Sequence, residues 1–294
     1  MRVGVVILPT ARWRRARETW MLAEEMGFDH AWTYDHFAWG PAGGEPWFTA
    51  IPTLTAAAGA TSRIRLGTLV ASPNFRHPLL LAKDAIAIDD VSEGRFILGL
   101  GVGGSRCDAG VLGDASIGEQ ERADRFGEFV EVIDALLGGP IDAFAGRFYS
   151  VREAQQLPGC VQLPRLPLAI AATGPRGMGL VARFAEIWVT FGDPRDPSAR
   201  SEIAAFRDQR RRLELACSIE GRDESTIARL VLSGIGAERP LDSLEAFRDV
   251  AGRAAEAGAT DLVVHWPRAS GPFAGKLGVL EAVAAEGFQR SKLE

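Results

Sequence analysis

Residues 64–101 read IRLGTLVASPNFRHPLLLAKDAIAIDDVSEGRFILGLG. Two short apolar runs, 64–70 and 96–101, enclose a stretch that Pro78 opens as a helix, because proline at the first helical position forfeits no hydrogen bond. Strand, helix, strand is the unit that lays two strands parallel. The same unit recurs in both directions from here. Further candidate strands fall at 3–9, 30–34, 168–172, 187–191, 228–235 and 262–266, which makes eight. Between them apolar residues return at helical spacing, as at Trp20, Leu22, Ala23 and Met26, and at Phe126, Phe129, Val130, Ile133, Leu136 and Leu137. Gly27, Gly59 and Gly258 stand where glycine caps are expected at helix C-termini. Eight such units in 294 residues fit an α/β fold of the closed (β/α)8 TIM-barrel type better than an open doubly wound sheet, in a single domain over residues 1–294.

Two segments escape the repeat. Residues 36–46 form a loop rich in Gly, Pro and aromatic residues after the second strand. Residues 138–166 form a long insertion between helix four and strand five, with prolines at 140, 158 and 164 and too little apolar periodicity for a helix. Loops of this length in compact domains are commonly lids or binding loops.

A net charge of -5, from 33 basic and 38 acidic side chains, gives no electrostatic reason for a nucleic-acid partner or an anionic membrane and leaves a small molecule as the expected partner. The run at 3–8 is too short to span a bilayer, and the arginines 12, 14, 15 and 17 follow it, the reverse of a secretion signal. Cys107, Cys160 and Cys217 are three and scattered, which suits a reducing cytoplasm rather than a disulfide framework or zinc site. The four histidines, His30, His36, His77 and His265, form neither HxH nor HExxH, so no metal is expected.

In a barrel the site is built just after the strands. Asp35 and His36 follow the second strand, where a histidine beside a carboxylate can move a proton, or where the pair merely caps a turn and packs. Ser72, Pro73 and Asn74 follow the third. The run Gly99-Leu-Gly101-Val-Gly103-Gly104 after the fourth admits a flat ligand to the backbone, or else serves barrel packing; no helical pattern follows it closely, and it lacks the Lys and Ser/Thr of a P-loop. Thr173, Gly174, Pro175, Arg176 and Gly177 join the fifth strand to a helix whose N-terminal N–H groups suit a phosphate, or form a turn with a solvated arginine. His77, before Pro78, reads as structural, and Trp32, mid-strand, as core. Trp39 and Trp47 could wall a flat ligand.

Several stretches taken in order give the chain a family likeness: Ala23-Glu-Glu-Met-Gly-Phe-Asp29 leading to Tyr34-Asp35-His36-Phe37, Arg65-Leu-Gly-Thr68 with Arg76-His77-Pro78, and Gly94-Arg-Phe-Ile-Leu-Gly-Leu-Gly101. Gly146-Arg-Phe-Tyr149 and Ala172-Thr-Gly-Pro175 running into Ala185-Glu-Ile-Trp188 continue it. Over nearly its whole length the chain resembles the luciferase-like flavin- and F420-dependent oxidoreductases. The resemblance implies a (β/α)8 barrel, a homodimer and a tricyclic cofactor in the barrel mouth. It also implies a bulge in the third strand, often with a non-proline cis peptide, at Leu69 and Val70 behind the central ring.

Asp-His after the second strand is more similar to the F420-dependent branch, whereas Glu-His is commoner in the flavin monooxygenases. That likeness implies coenzyme F420, with FMN as the alternative. Asp35 would contact the ring, His36 would handle a proton, and Ser72, Val102 and Gly103 would line the ring. Thr173, Gly174, Arg176 and Gly177 would hold the side-chain phosphate. The implied activity is hydride transfer between F420 and a small organic substrate; the alternatives are an FMN monooxygenase using oxygen and a non-catalytic cofactor-binding relative. Gly104 stands where the sugar-phosphate dehydrogenases of this branch carry a catalytic glutamate, which speaks against that alcohol oxidation and for another substrate, or for reduction of a double bond or imine.

Overall fold

The computed structural model describes residues 1–38, 44–104, 106–113, 117–193 and 201–286. Trp39, Ser105 and the side chain of Cys107, which carried sequence expectations, lie outside the described residues. The chain runs β1 (Arg2–Val6), α1 (Trp13–Glu25), β2 (His30–Thr33), α2 (Ala50–Ala60), β3 (Arg65–Thr68), α3 (Pro78–Val91) and β4 (Phe96–Leu100). It continues through α4 (Arg106–Val111), α5 (Glu119–Gly138), β5 (Ile141–Ala145), β6 (Ser150–Ala154), β7 (Leu168–Ala171), α6 (Pro175–Phe184) and β8 (Ile187–Thr190). Then come α7 (Glu202–Glu220), β9 (Ala228–Leu232), α8 (Leu244–Glu256), β10 (Asp261–His265) and α9 (Leu277–Ala285).

Eight parallel strands close a barrel in the order β1-β10-β9-β8-β7-β4-β3-β2, the expected (β/α)8 architecture. All eight sequence-expected strands are present, but the apolar runs overshoot the ladders at their C-terminal ends. Ile7, Tyr34, Leu69 and Ala172 lie just past the strand ends and remain buried, because the rim of the mouth, where the strands end, is itself packed.

Alternation along the strands separates two cores. Ile97, Val189, Leu230 and Val263 pack with Trp32 inside the barrel, while Phe96, Leu98 and Val231 join the layer shared with Phe129, Val130 and Phe206 of the helices. Each such buried side chain contributes about 1.5–3 kcal/mol relative to exposure.

Gly4 and Gly67 make the lower barrel possible. A Cβ on Gly4 would overlap the His30 ring, and one on Gly67 would overlap the Trp32 indole. The indole Nε1 donates to His30 Nδ1 at 2.7 Å, so His30 carries its proton on Nε2 and donates it to Asp261 at 3.0 Å, with Arg2 on the same carboxylate. Burial would raise the Asp261 carboxyl; His30 and Arg2 outweigh it and hold it well below the usual carboxylate range. This network sits at the N-terminal ends of β1, β2 and β10.

Gly27 and Gly258 follow their helices with positive φ, as caps do. Gly59 does not, since it lies inside α2; the alanine run around it sustains the helix to Ala60. His77 caps α3, accepting from Leu79 N at 3.2 Å. A short helix, α4, follows the glycine run closely where none was expected; at 6 residues it is too brief to show a hydrophobic period.

The 138–166 insertion contains the antiparallel hairpin β5–β6, paired from Ile141↔Ala154 to Ala145↔Ser150. The Glu128 carboxylate of α5 accepts the N–H groups of Arg147, Phe148 and Tyr149 at its turn. Tyr149 meets His77, and the chain then passes down the outside of α3 to Gln162, whose amide reaches Asp89 and the Phe96 carbonyl. It straps the barrel wall rather than forming a lid over the mouth.

Candidate active site

Asp35, Ser72, Gly103 and Gly174 follow β2, β3, β4 and β7, which are consecutive neighbours around the barrel. One half of the mouth therefore holds most of the sequence-predicted site.

Asp35 is buried, and Arg76 grips it in a bidentate pair, Nη2 to Oδ1 at 2.7 Å and Nε to Oδ2 at 3.0 Å. Arg76 belongs to the β3–α3 loop, so the pair locks two adjacent loops together, and its planar fork matches the carboxylate. His36 keeps 24% of its side chain exposed, while its Nδ1 lies 2.6 Å from Oδ2 of Asp108, a nearly sealed carboxylate on α4. Asp108 Oδ1 also takes the Phe37 N–H at 3.0 Å. Orientation by a carboxylate at one ring nitrogen leaves Nε2 as the nitrogen free to exchange a proton with a ligand. Tyr34 and Trp47 flank the imidazole, with ring centroids at 6.1 and 6.3 Å.

The peptide bond between Leu69 and Val70 is cis, at the position the family likeness implied. Beyond it the ladder resumes as a single bridge between Ala71 and Leu100. Val70 packs against the Cα of Gly101, where a Cβ would overlap it, so the ends of β3 and β4 meet closely. Ser72 is buried, Val102 is exposed, and Gly103 adopts φ 75° with Asn74 against it. Arg122 of α5 donates to the Gly103 carbonyl at 3.2 Å, and Arg125 donates to Asn74 Oδ1 at 3.1 Å.

At β7 the turn is less committed. Gly174 caps α6 without a side-chain cap, so the first N–H groups of the helix lack that partner. Arg212 holds the Thr173 carbonyl at 2.6 Å. Arg176 extends to Asp124 at 2.9 Å in an exposed pair, so its guanidinium is shared with a carboxylate.

A flat cofactor with a phosphate tail fits these residues. Gly104 and Gly174 have open space where a Cβ would stand, and the buried Nε of Arg125 has no partner among the described residues. Sequence reasoning missed Asp108, Arg76, Arg122 and Arg125. Arg76 stood within a quoted motif, but nothing local pairs it with Asp35. Asp108 lies 72 positions from His36 and gives no sequence signal.

The luciferase-like monooxygenase family profile matches residues 1–235. The chain belongs to the luciferase-like monooxygenase family. Within this family the chain is similar to an F420-dependent glucose-6-phosphate dehydrogenase of Microbacterium testaceum, 33% identical over 62% of this chain and 53% of the relative. It is also similar to the 4-hydroxyprotoasukamycin monooxygenase of Streptomyces nodosus subsp. asukaensis, 31% identical over 62% of this chain and 48% of that one. The chain spans about half the length of these curated relatives. Among solved structures, an F420-dependent secondary alcohol dehydrogenase in complex with an F420-acetone adduct superposes with a TM-score of 0.76 at 18% identity, covering 90% of this chain and 92% of that one. At that identity the likeness concerns the fold.

Proposed function

We propose that this luciferase-like protein is an F420-dependent oxidoreductase that transfers a hydride between the deazaflavin and a small organic substrate. The observation that carries the reading is the Asp108–His36 pair at the mouth. A partly exposed imidazole with one nitrogen fixed by a buried carboxylate is suited to exchange a proton with a substrate oxygen or nitrogen through the other. Support for the deazaflavin comes from Asp35 ahead of His36 and from relatives whose names carry F420.

When bound, the deazaflavin supplies a carbon centre that accepts or donates hydride. Leu69, Val70, Ser72, Val102 and Gly103 would line its ring. Asp35, with both oxygens engaged by Arg76, would present only its remaining lone pairs to that ring. Thr173, Gly174, Arg176 and Gly177, with Arg125, would hold the phosphate. His36 would hold or deliver the proton while the mouth orients the substrate.

An FMN monooxygenase is the second reading, favoured by the Streptomyces relative. Titration of the protein with F420 and with FMN, followed by turnover with each in reduced form, separates the two. Tight FMN binding without affinity for F420 overturns the first.

We also propose that the barrel acts as one domain and works as a cytoplasmic homodimer. The exposed Leu80 and Val91 of α3, with Leu157, Val161 and Leu163 of the insertion beside them, support a self-association face there.

A further inference from the structure

A cavity of about 650 Å³ opens across the mouth, between the loop after β9 and the loop after β10. Ser233 and His265 line it, and both are buried. Neither Ser233 Oγ nor His265 Nδ1 has a hydrogen-bond partner among the described residues. Leaving a buried polar atom unpaired costs about 1–3 kcal/mol. Two such atoms in one cavity mark a place for a ligand's polar group.

The lining also fixes the sign of that group. Arg239 and Lys276 both border the cavity, with Asp242 as the opposing carboxylate. Arg239 rests one nitrogen on the carbonyls of Gly236 and Glu238, at 2.5 and 2.9 Å, which anchors the side chain without neutralising it. Lys276 is the N-cap residue of α9, whose first turn has neither a side-chain cap nor an acidic residue, so the positive end of the helix dipole meets the cavity. The wall is rigid: the buried Glu202 carboxylate takes the N–H groups of Gly234, Gly236 and Glu238.

His265 adds a neutral donor. Its Nε2 lies 2.7 Å from the Tyr34 hydroxyl, and burial pushes the ring's pKa down to about 3. With Tyr34 donating to Nε2, the proton of the neutral ring sits on Nδ1, and an acceptor in the cavity selects that tautomer. Loops after the last two barrel strands are a recurrent place for anion binding in this architecture.

We propose that this cavity is an oxyanion subsite that takes the carboxylate or phosphate of the substrate, held by Lys276, Arg239, Ser233 Oγ and the α9 N-terminus. Tyr34 stands between the two regions, its ring 6.1 Å from that of His36 and 5.7 Å from that of His265. The substrate class is therefore a compound with a reducible or oxidisable carbon at His36 and an acidic group beyond Tyr34. That orientation rests on the redox assignment above; the anion binding does not.

Isothermal titration of the cofactor-free protein with inorganic phosphate and, separately, with acetate tests the subsite. Saturable binding is expected, weakened at least tenfold by Lys276→Gln and by Ser233→Ala, and unchanged by Arg211→Gln on the exposed face of α7. Tighter phosphate assigns a phosphate tail, and tighter acetate a carboxylate tail. No saturable binding of either anion, or binding that Lys276→Gln leaves intact, overturns the proposal. Anion binding that persists in a protein unable to bind F420 or FMN upholds the subsite and removes the redox reading instead.

Discussion

Oδ2 of Asp108 lies 2.6 Å from Nδ1 of His36, and the other oxygen of the same carboxylate receives the N–H of Phe37. One buried side chain on a six-residue helix thus sets both the imidazole and the backbone that follows it. Asp108→Asn is expected to lower kcat about 10–100-fold, the usual loss when a partner orienting a functional histidine is removed. The Kd for F420 should stay within about threefold, and the solvent isotope effect on kcat should grow because proton handling becomes limiting. Partial recovery in Asp108→Glu completes the pattern; an unchanged kcat in Asp108→Asn refutes the positioning role.

The Arg76–Asp35 pair makes a stability prediction. Arg76→Ala leaves the buried Asp35 carboxylate without its counter-charge and should cost about 3–5 kcal/mol in urea unfolding. Adding Asp35→Ala removes the stranded charge, so the double variant should be more stable than Arg76→Ala alone. Simple additivity of the two losses would contradict the pairing.

His265 predicts a pH dependence. Burial lowers its pKa to about 3 in the folded chain, against an ordinary value near 6.5 unfolded. Between those values the unfolded chain binds the extra proton, so this residue makes stability fall as pH drops below about 6.5, until the folded ring also protonates near pH 3. From pH 7 to 5 the loss amounts to about 2 kcal/mol. Unfolding free energies of wild type and His265→Gln across this range should converge toward acid by about that amount; parallel curves would rule it out.

Cofactor affinity separates the arginines. Arg125→Gln removes a partly buried guanidinium with an unpaired nitrogen and should raise the Kd for F420 about tenfold, equivalent to about 1.4 kcal/mol. Arg176 is exposed and shared with Asp124, so Arg176→Gln should raise Kd only about threefold and change stability by less than about 1 kcal/mol. Fluorescence titration distinguishes the two, and a larger effect at Arg176 would reverse the assignment.

The barrel was legible in the sequence because its signal is local and repeated: each strand carries its own apolar run and each helix its own period. The hairpin was harder to see, since Ile141 to Ala154 alternates only weakly and Phe144 and Tyr149 pack on helices rather than on a sheet face. Asp35, His36 and the glycine turns were readable because strand ends are where a barrel gathers its site. Their partners were not. Arg76 reaches them from another loop and Asp108 from α4, and no local pattern records which side chain a distant group will meet.

The relay from Trp32 through His30 to Asp261 and Arg2 has a consequence for traffic. Among the described residues it closes the floor of the barrel with bonded polar groups, at the end opposite the mouth. A ligand in the proposed site would then come and go through the mouth, and the part of it seated deepest would be the first in and the last out.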